Sequence, residues 1–247
     1  MKVAALWGLA TGVGWAGGAA AATAARLDEA CWTVVASGEW TIFFAAWAGC
    51  GALAGALAAL GQGLVSYRRD TGGLMRWISL SCLGTALGWS AGAGLAAVIN
   101  ERLLWRIEIP VLLTARMQGE LLNWALTTNF ILVACLVLGG ATASLGQAPL
   151  VAQRVGWQKT CWWAAASCLG AVAAAVTAVL MVTVLAELSP WLAVPFLARG
   201  IGGALPEQPR FIVVASIGIA LAAAGAMTGM LLGQVLLFLM PKATRRG

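Results

Sequence analysis

Histidine is missing from this chain altogether, and only one tyrosine is present. Without histidine a bis-histidine haem is impossible, and zinc ligation is a poor reading because no CxxC pair is present either. The six cysteines form no framework: Cys31 lies in an expected outer loop, while Cys50, Cys82, Cys135, Cys161 and Cys168 fall in or near apolar segments. They read as small, polarizable packing residues. No P-loop, no HExxH and no catalytic dyad stand out. Charge is scarce as well, at 10% of residues against ~25% in a soluble domain. Too little polar surface is available to cover a water-soluble globule.

Apolar residues are abundant instead, at 61%, with a mean hydropathy of +0.89. Long apolar runs occupy roughly 4–26, 41–66, 77–99, 125–146, 161–186 and 211–240. Each exceeds the ~20 residues that cross a hydrocarbon core. Lipid cannot hydrogen-bond an exposed backbone, and the runs are continuous rather than alternating, so they read as helices. The expectation is an all-α polytopic membrane protein with six transmembrane helices, forming a single integral membrane domain over 1–247. The first run, with AAATAA before Arg26, also has the look of a signal peptide. Its GVGWAGG has an internal counterpart in ALGWSAG at 86–92, which argues for a retained helix.

The short connections sort by charge. Lys2, Arg68, Arg69, Arg76, Arg154, Lys159, Lys242, Arg245 and Arg246 share one side with a single acid, Asp70. The other side holds six arginines and eight acids. The Lys/Arg excess puts the first side, and both termini, in the cytoplasm of a bacterial inner or thylakoid-type membrane. Cys31 should then be reachable by label from outside. The net +6 reflects topology, because the basic residues are too dispersed for a nucleic-acid patch. Ten of the thirteen tryptophans, among them Trp7, Trp77 and Trp163, fall near expected membrane boundaries, where indoles favour the headgroup level. Trp15, Trp47 and Trp89 lie deeper.

Gly-Gln recurs at Gly61-Gln62, Gly146-Gln147 and Gly233-Gln234, at intervals of 85 and 87 residues. SCLG recurs at 81–84 and 167–170, and Thr11, Gly14, Trp15 and Gly18 match Thr85, Gly88, Trp89 and Gly92. The third unit carries Ala174, Ala175 and Ala178 where Gly, Trp and Gly would stand. These intervals imply three parallel two-helix repeats of about 85 residues, near 1–76, 77–160 and 161–247. Parallel repeats suggest pseudo-threefold packing about the membrane normal, or an open row of hairpins. The pattern resembles uncharacterised multi-pass proteins of cyanobacterial type, which repeat a GW-x-x-G helix and a small-residue helix ending in G-Q. That resemblance implies a fold and no chemistry.

Candidate residues follow from spacing. Gly51 and Gly55, and Gly225, Gly229 and Gly233, form GxxxG steps that put glycines on one helix face and let another backbone approach. Gly14 and Gly18, and Gly88 and Gly92, do the same beside Trp15 and Trp89. Internal packing is the stronger reading, and a groove for a partner helix or pigment tail the weaker. The indoles either fill gaps left by glycine or stack on a flat ligand. Gln62, Gln147 and Gln234 either tie helix ends together or converge as a polar mouth. No Asp, Glu, Lys, Arg or His falls within an expected helix core, which argues against proton pumping and ion coupling. Chlorophyll would need Asn, Gln, backbone or water as ligand, so a pigment is unsupported and no cofactor is expected. Part of the mixed segment 101–124 is compatible with an interfacial position. The ranking is an accessory subunit packing on other membrane proteins, then a channel or carrier for a neutral or lipidic solute, then an envelope or lipid enzyme.

Overall fold

The computed structural model describes residues 2–67, 70–99, 101–102, 116–197 and 210–239. Arg68, Arg69, the 103–115 stretch of the mixed segment, and Lys242, Arg245 and Arg246 lie outside the described residues. Among the described residues seven helices follow one another: α1 (Lys2–Ala24), α2 (Leu27–Ser37), α3 (Trp40–Ser66), α4 (Thr71–Ile99), α5 (Arg116–Val155), α6 (Trp157–Leu197) and α7 (Arg210–Leu239). All but α2 contain a stretch long and apolar enough to cross a membrane, so the chain is an all-α, multi-pass membrane protein. Large apolar side chains such as Leu9, Ile42, Leu87, Leu145, Leu169 and Phe238 point outward, as lipid-facing residues do.

The six long helices close into a ring. The order around it is α1, α3, α4, α5, α6, α7, and α7 packs back on α1. Neighbours run antiparallel: positions 4, 8 and 12 on α1 meet 233, 230 and 222 on α7, and 14 and 18 meet 54 and 50 on α3. The open row of hairpins is therefore not the arrangement found. Close approach between backbones is possible because small residues line the seams.

α2 was expected as loop. It forms 11 residues of helix, touches α1, α3 and α4, and carries Cys31 and Val34 into the core. Cys31 is 1% exposed, so the expectation of ready labelling fails. Gly38, at φ +71, ends α2 by donating its N–H to the Val34 carbonyl. At the opposite end of the ring Gly156, at φ +82, is the single residue between α5 and α6. Asp70 accepts from the Gly73 N–H at 2.9 Å and so caps the start of α4.

Two apolar clusters occupy the interior. The one towards α2 gathers Trp15, Phe43, Trp47, Trp89, Cys135, Leu136 and the alanines of α6, including Ala174, Ala175 and Ala178. The other, near the start of α1, gathers Trp7, Tyr67, Trp77, Leu150, Val151 and Trp163.

Candidate functional site: a polar chamber on the ring axis

Between the two apolar clusters lies a layer of buried hydroxyls and amides. It comprises Thr11 from α1, Gln62 from α3, Ser81 and Thr85 from α4, Ser144 and Gln147 from α5, Ser167 from α6 and Thr228 from α7. All six ring helices contribute, and no member is more than 7% exposed. Together with Trp7, Trp15 and Trp163 they line one chamber of about 60 Å³. No charged residue is buried among the described residues.

Each hydroxyl proton of the layer is directed at a backbone carbonyl. Thr11 donates to Trp7 O at 2.8 Å, Ser81 to Trp77 O at 2.7 Å and Ser167 to Trp163 O at 2.9 Å. Thr85 donates to Ser81 O, Ser144 to Gly140 O and Thr228 to Ala224 O. Four-residue back-bonding of this kind is how serine and threonine satisfy themselves inside helices. It leaves the hydroxyl oxygens as acceptors, each having one donor and two lone pairs.

The glutamines use that capacity. Gln62 Nε2 donates to Thr11 Oγ1 at 2.9 Å, joining α3 to α1. Gln147 Nε2 donates to Ser81 Oγ at 2.6 Å, joining α5 to α4. Both amides tie their own hairpin and face the common chamber. Gln234 does not join them, because its side chain is exposed. Thr142 shares its proton between Leu138 O and Gly84 O, and Thr228 between Ala224 O and Gly170 O, anchoring their two hairpins alike. Gln147 follows its threonine by five residues, Gln234 by six. One extra residue turns a side chain by ~100°, which carries Gln234 off the inner face.

Three tryptophans expected near membrane boundaries take an inner face of the ring. Trp7, Trp77 and Trp163 are each 1% exposed and meet at the centre, with ring centroids 5.8 Å apart for Trp7–Trp77 and 6.5 Å for Trp77–Trp163. They come from α1, α4 and α6, which are not neighbours in the ring. Their indole N–H groups are buried without a hydrogen-bond partner. Each stands four residues before the hydroxyl that binds its carbonyl, so W-x-x-x-[ST] recurs on all three helices. That signal was legible in the sequence and was obscured by the proximity of each tryptophan to a membrane boundary. Trp157 and Trp162, by contrast, are outward-facing at 65% and 69% exposed.

The nine candidate glycines lie in the seams. A Cβ at Gly14 would fall 2.5 Å from Ala54 O, and at Gly18 2.8 Å from Cys50 O, both on α3. Gly88 and Gly92 meet Leu138 and Ala134 of α5 at 2.5 and 2.8 Å in the same way. Gly51 and Gly55 of α3 face Thr85 O and Ser81 O of α4 at 2.6 and 2.7 Å. Gly225, Gly229 and Gly233 of α7 face Thr11 O at 2.9 Å, Trp7 O at 2.5 Å and Ala4 Cα at 2.9 Å on α1. Trp89 fills the space over Gly51, Gly18 and Gly139, and Trp15 reaches the chamber wall.

A chamber with uncharged donors and acceptors can hold a small neutral molecule. Its volume is far below the ~300–1,000 Å³ of pockets for larger ligands, so a pigment ring does not fit. No protein-family model, curated protein or solved structure matches this chain.

Proposed function

We propose that this membrane protein is a gated carrier for a small uncharged polar solute. The observation that carries this reading is the polar layer on the ring axis: eight hydroxyl and amide side chains from all six long helices around one chamber. A bundle needing only stability would fill that centre with apolar side chains, because a buried polar group adds at best ~1 kcal/mol net. The chamber's lining is nearly inaccessible to solvent, so passage requires movement of the flanking tryptophans. Absence of buried charge among the described residues favours a neutral solute over an ion.

This reverses the order drawn from sequence, where an accessory subunit came first. That reading leaned on small-residue faces and on the absence of recognisable chemistry. The nine glycines that suggested such faces are occupied inside the ring. We also read the three hairpins as repeats about a pseudo-threefold axis, supported by the three W-x-x-x-[ST] motifs and the matching Thr142–Gly84 and Thr228–Gly170 bonds. The end where α1 begins carries the Lys/Arg excess, which favours a cytoplasmic position for it.

Stopped-flow light scattering on proteoliposomes tests the carrier. Osmotic gradients of urea, acetamide and ethylene glycol should collapse faster than in empty liposomes. A Gln62→Leu/Gln147→Leu double variant that keeps its helical circular dichroism should return the rate to background. Rates equal to empty liposomes for every solute, from folded protein, would remove the reading. A reporter fused after α7 and active only outside would reverse the orientation.

A further inference from the structure

We infer that the chamber is a binding site for a carbonyl or hydroxyl compound of roughly three to five heavy atoms, held by the indole N–H groups of Trp7 and Trp163. This rests on the same chamber as the carrier reading and specifies what it takes. Size sets the upper limit. About 60 Å³ of space for water-sized centres, at ~10–15 Å³ for one water, admits a few heavy atoms in a row or fork.

Polarity sets the chemistry. The hydroxyl protons of Thr11, Ser81, Thr85, Ser144, Ser167 and Thr228 already point to backbone carbonyls. The donors left over are the Trp7 and Trp163 N–H groups and the second Nε2 proton of Gln62 and of Gln147. A buried N–H without an acceptor costs ~1–3 kcal/mol, so these two indoles favour any occupant that presents an oxygen lone pair. The hydroxyl oxygens and amide carbonyls of the same lining accept in turn, which suits a molecule with both an acceptor and a donor. An amide, a urea or a short polyol fulfils both. A carboxylate would enter with its charge unpaired, since no cation lies in the chamber's lining.

The test uses the full chain in lipid nanodiscs, with tryptophan indoles labelled by ¹⁵N, and acetamide as probe. The Trp7 and Trp163 resonances, assigned through Trp7→Phe and Trp163→Phe, should move downfield and saturate. Trp157, on the outer face, should stay still. Benzamide, with more than twice the heavy atoms, should move neither inner resonance. Trp7→Phe keeps most of the ring volume and should weaken acetamide by roughly three- to tenfold, the value of one hydrogen bond. If that variant fails to fold, the Trp7 indole is assigned by its through-space contact with Trp77 and the wild-type titration still decides. Inner resonances unmoved by acetamide, or moving in step with Trp157, would overturn the site. A saturable shift without liposome flux keeps the site and removes the carrier. Flux with unmoved indoles removes the site and keeps the carrier.

Discussion

Tyr67 sits just beyond α3, against Trp77, with the Arg154 guanidinium 3.7 Å over its ring. Burial pushes its phenol above the ordinary value near 10, Arg154 opposes the rise and Asp70 adds to it. The folded state therefore holds this proton more tightly than the unfolded chain. Stability from that difference is complete below pH ~10 and is lost as pH rises through the folded value. Because Tyr67 is the one tyrosine in the chain, tyrosinate absorbance follows it alone. A spectrophotometric titration should show ionisation later in the folded protein than in denaturant. Glycine at the seams makes a second claim at this scale. Gly229→Leu would drive a side chain into Trp7 O and the Thr11 hydroxyl, and overpacking of this kind typically costs ~1–3 kcal/mol. Thermal unfolding in detergent should report it, whereas a Cβ at Gly49 meets no atom within 4 Å, so Gly49→Ala should be nearly silent.

Among the elements, the tightest constraint is the one-residue join at Gly156. Nothing lies within 4 Å of a Cβ there, so the penalty for a side chain is purely conformational. Gly156→Ala at φ +82 should lower stability by ~1–2 kcal/mol, read as a fall in melting temperature with the helix content kept. Basic residues complete nearby helix ends: Arg154 donates to Ser66 O at 2.8 Å and Lys159 to Leu239 O at 3.2 Å. Both cations face the partial negative charge of a helix C-terminus. Six long helices were legible in the apolar runs because lipid imposes a length on every crossing. α2 was not, since 11 residues with two acids and Arg26 beside them look like a polar connection, and only its packing on α1, α3 and α4 makes it a helix. The chamber was half legible. Gln62 and Gln147, singled out as polar recurrences, line the chamber, yet Gln234 was grouped with them because a repeat in sequence says nothing about a one-residue turn of the helix. Trp7, Trp77 and Trp163 were assigned to the headgroups because depth along a helix does not reveal which face a side chain takes.

For the molecule as a whole, closure is the defining property, and the α1–α7 seam is where it happens. A closed ring has no privileged first helix. α1 begins and α7 ends on the same side, next to one another, so a short flexible linker can join them without crossing the bilayer. Cutting the chain instead at Gly156, between α5 and α6, would give a circular permutant with every seam intact. It should insert, unfold cooperatively near the parent temperature and keep the Gln62–Thr11 and Gln147–Ser81 ties. During synthesis the parent faces a different situation. Until α7 leaves the ribosome, Gly8 and Gly12 of α1 have no backbone beside them, and the polar axis is open to lipid along one wall. The nascent intermediate, with five of the six long helices, is thus a species that the insertion machinery has to shelter, and the permutant, with α6 at its head, moves that wait to a different seam.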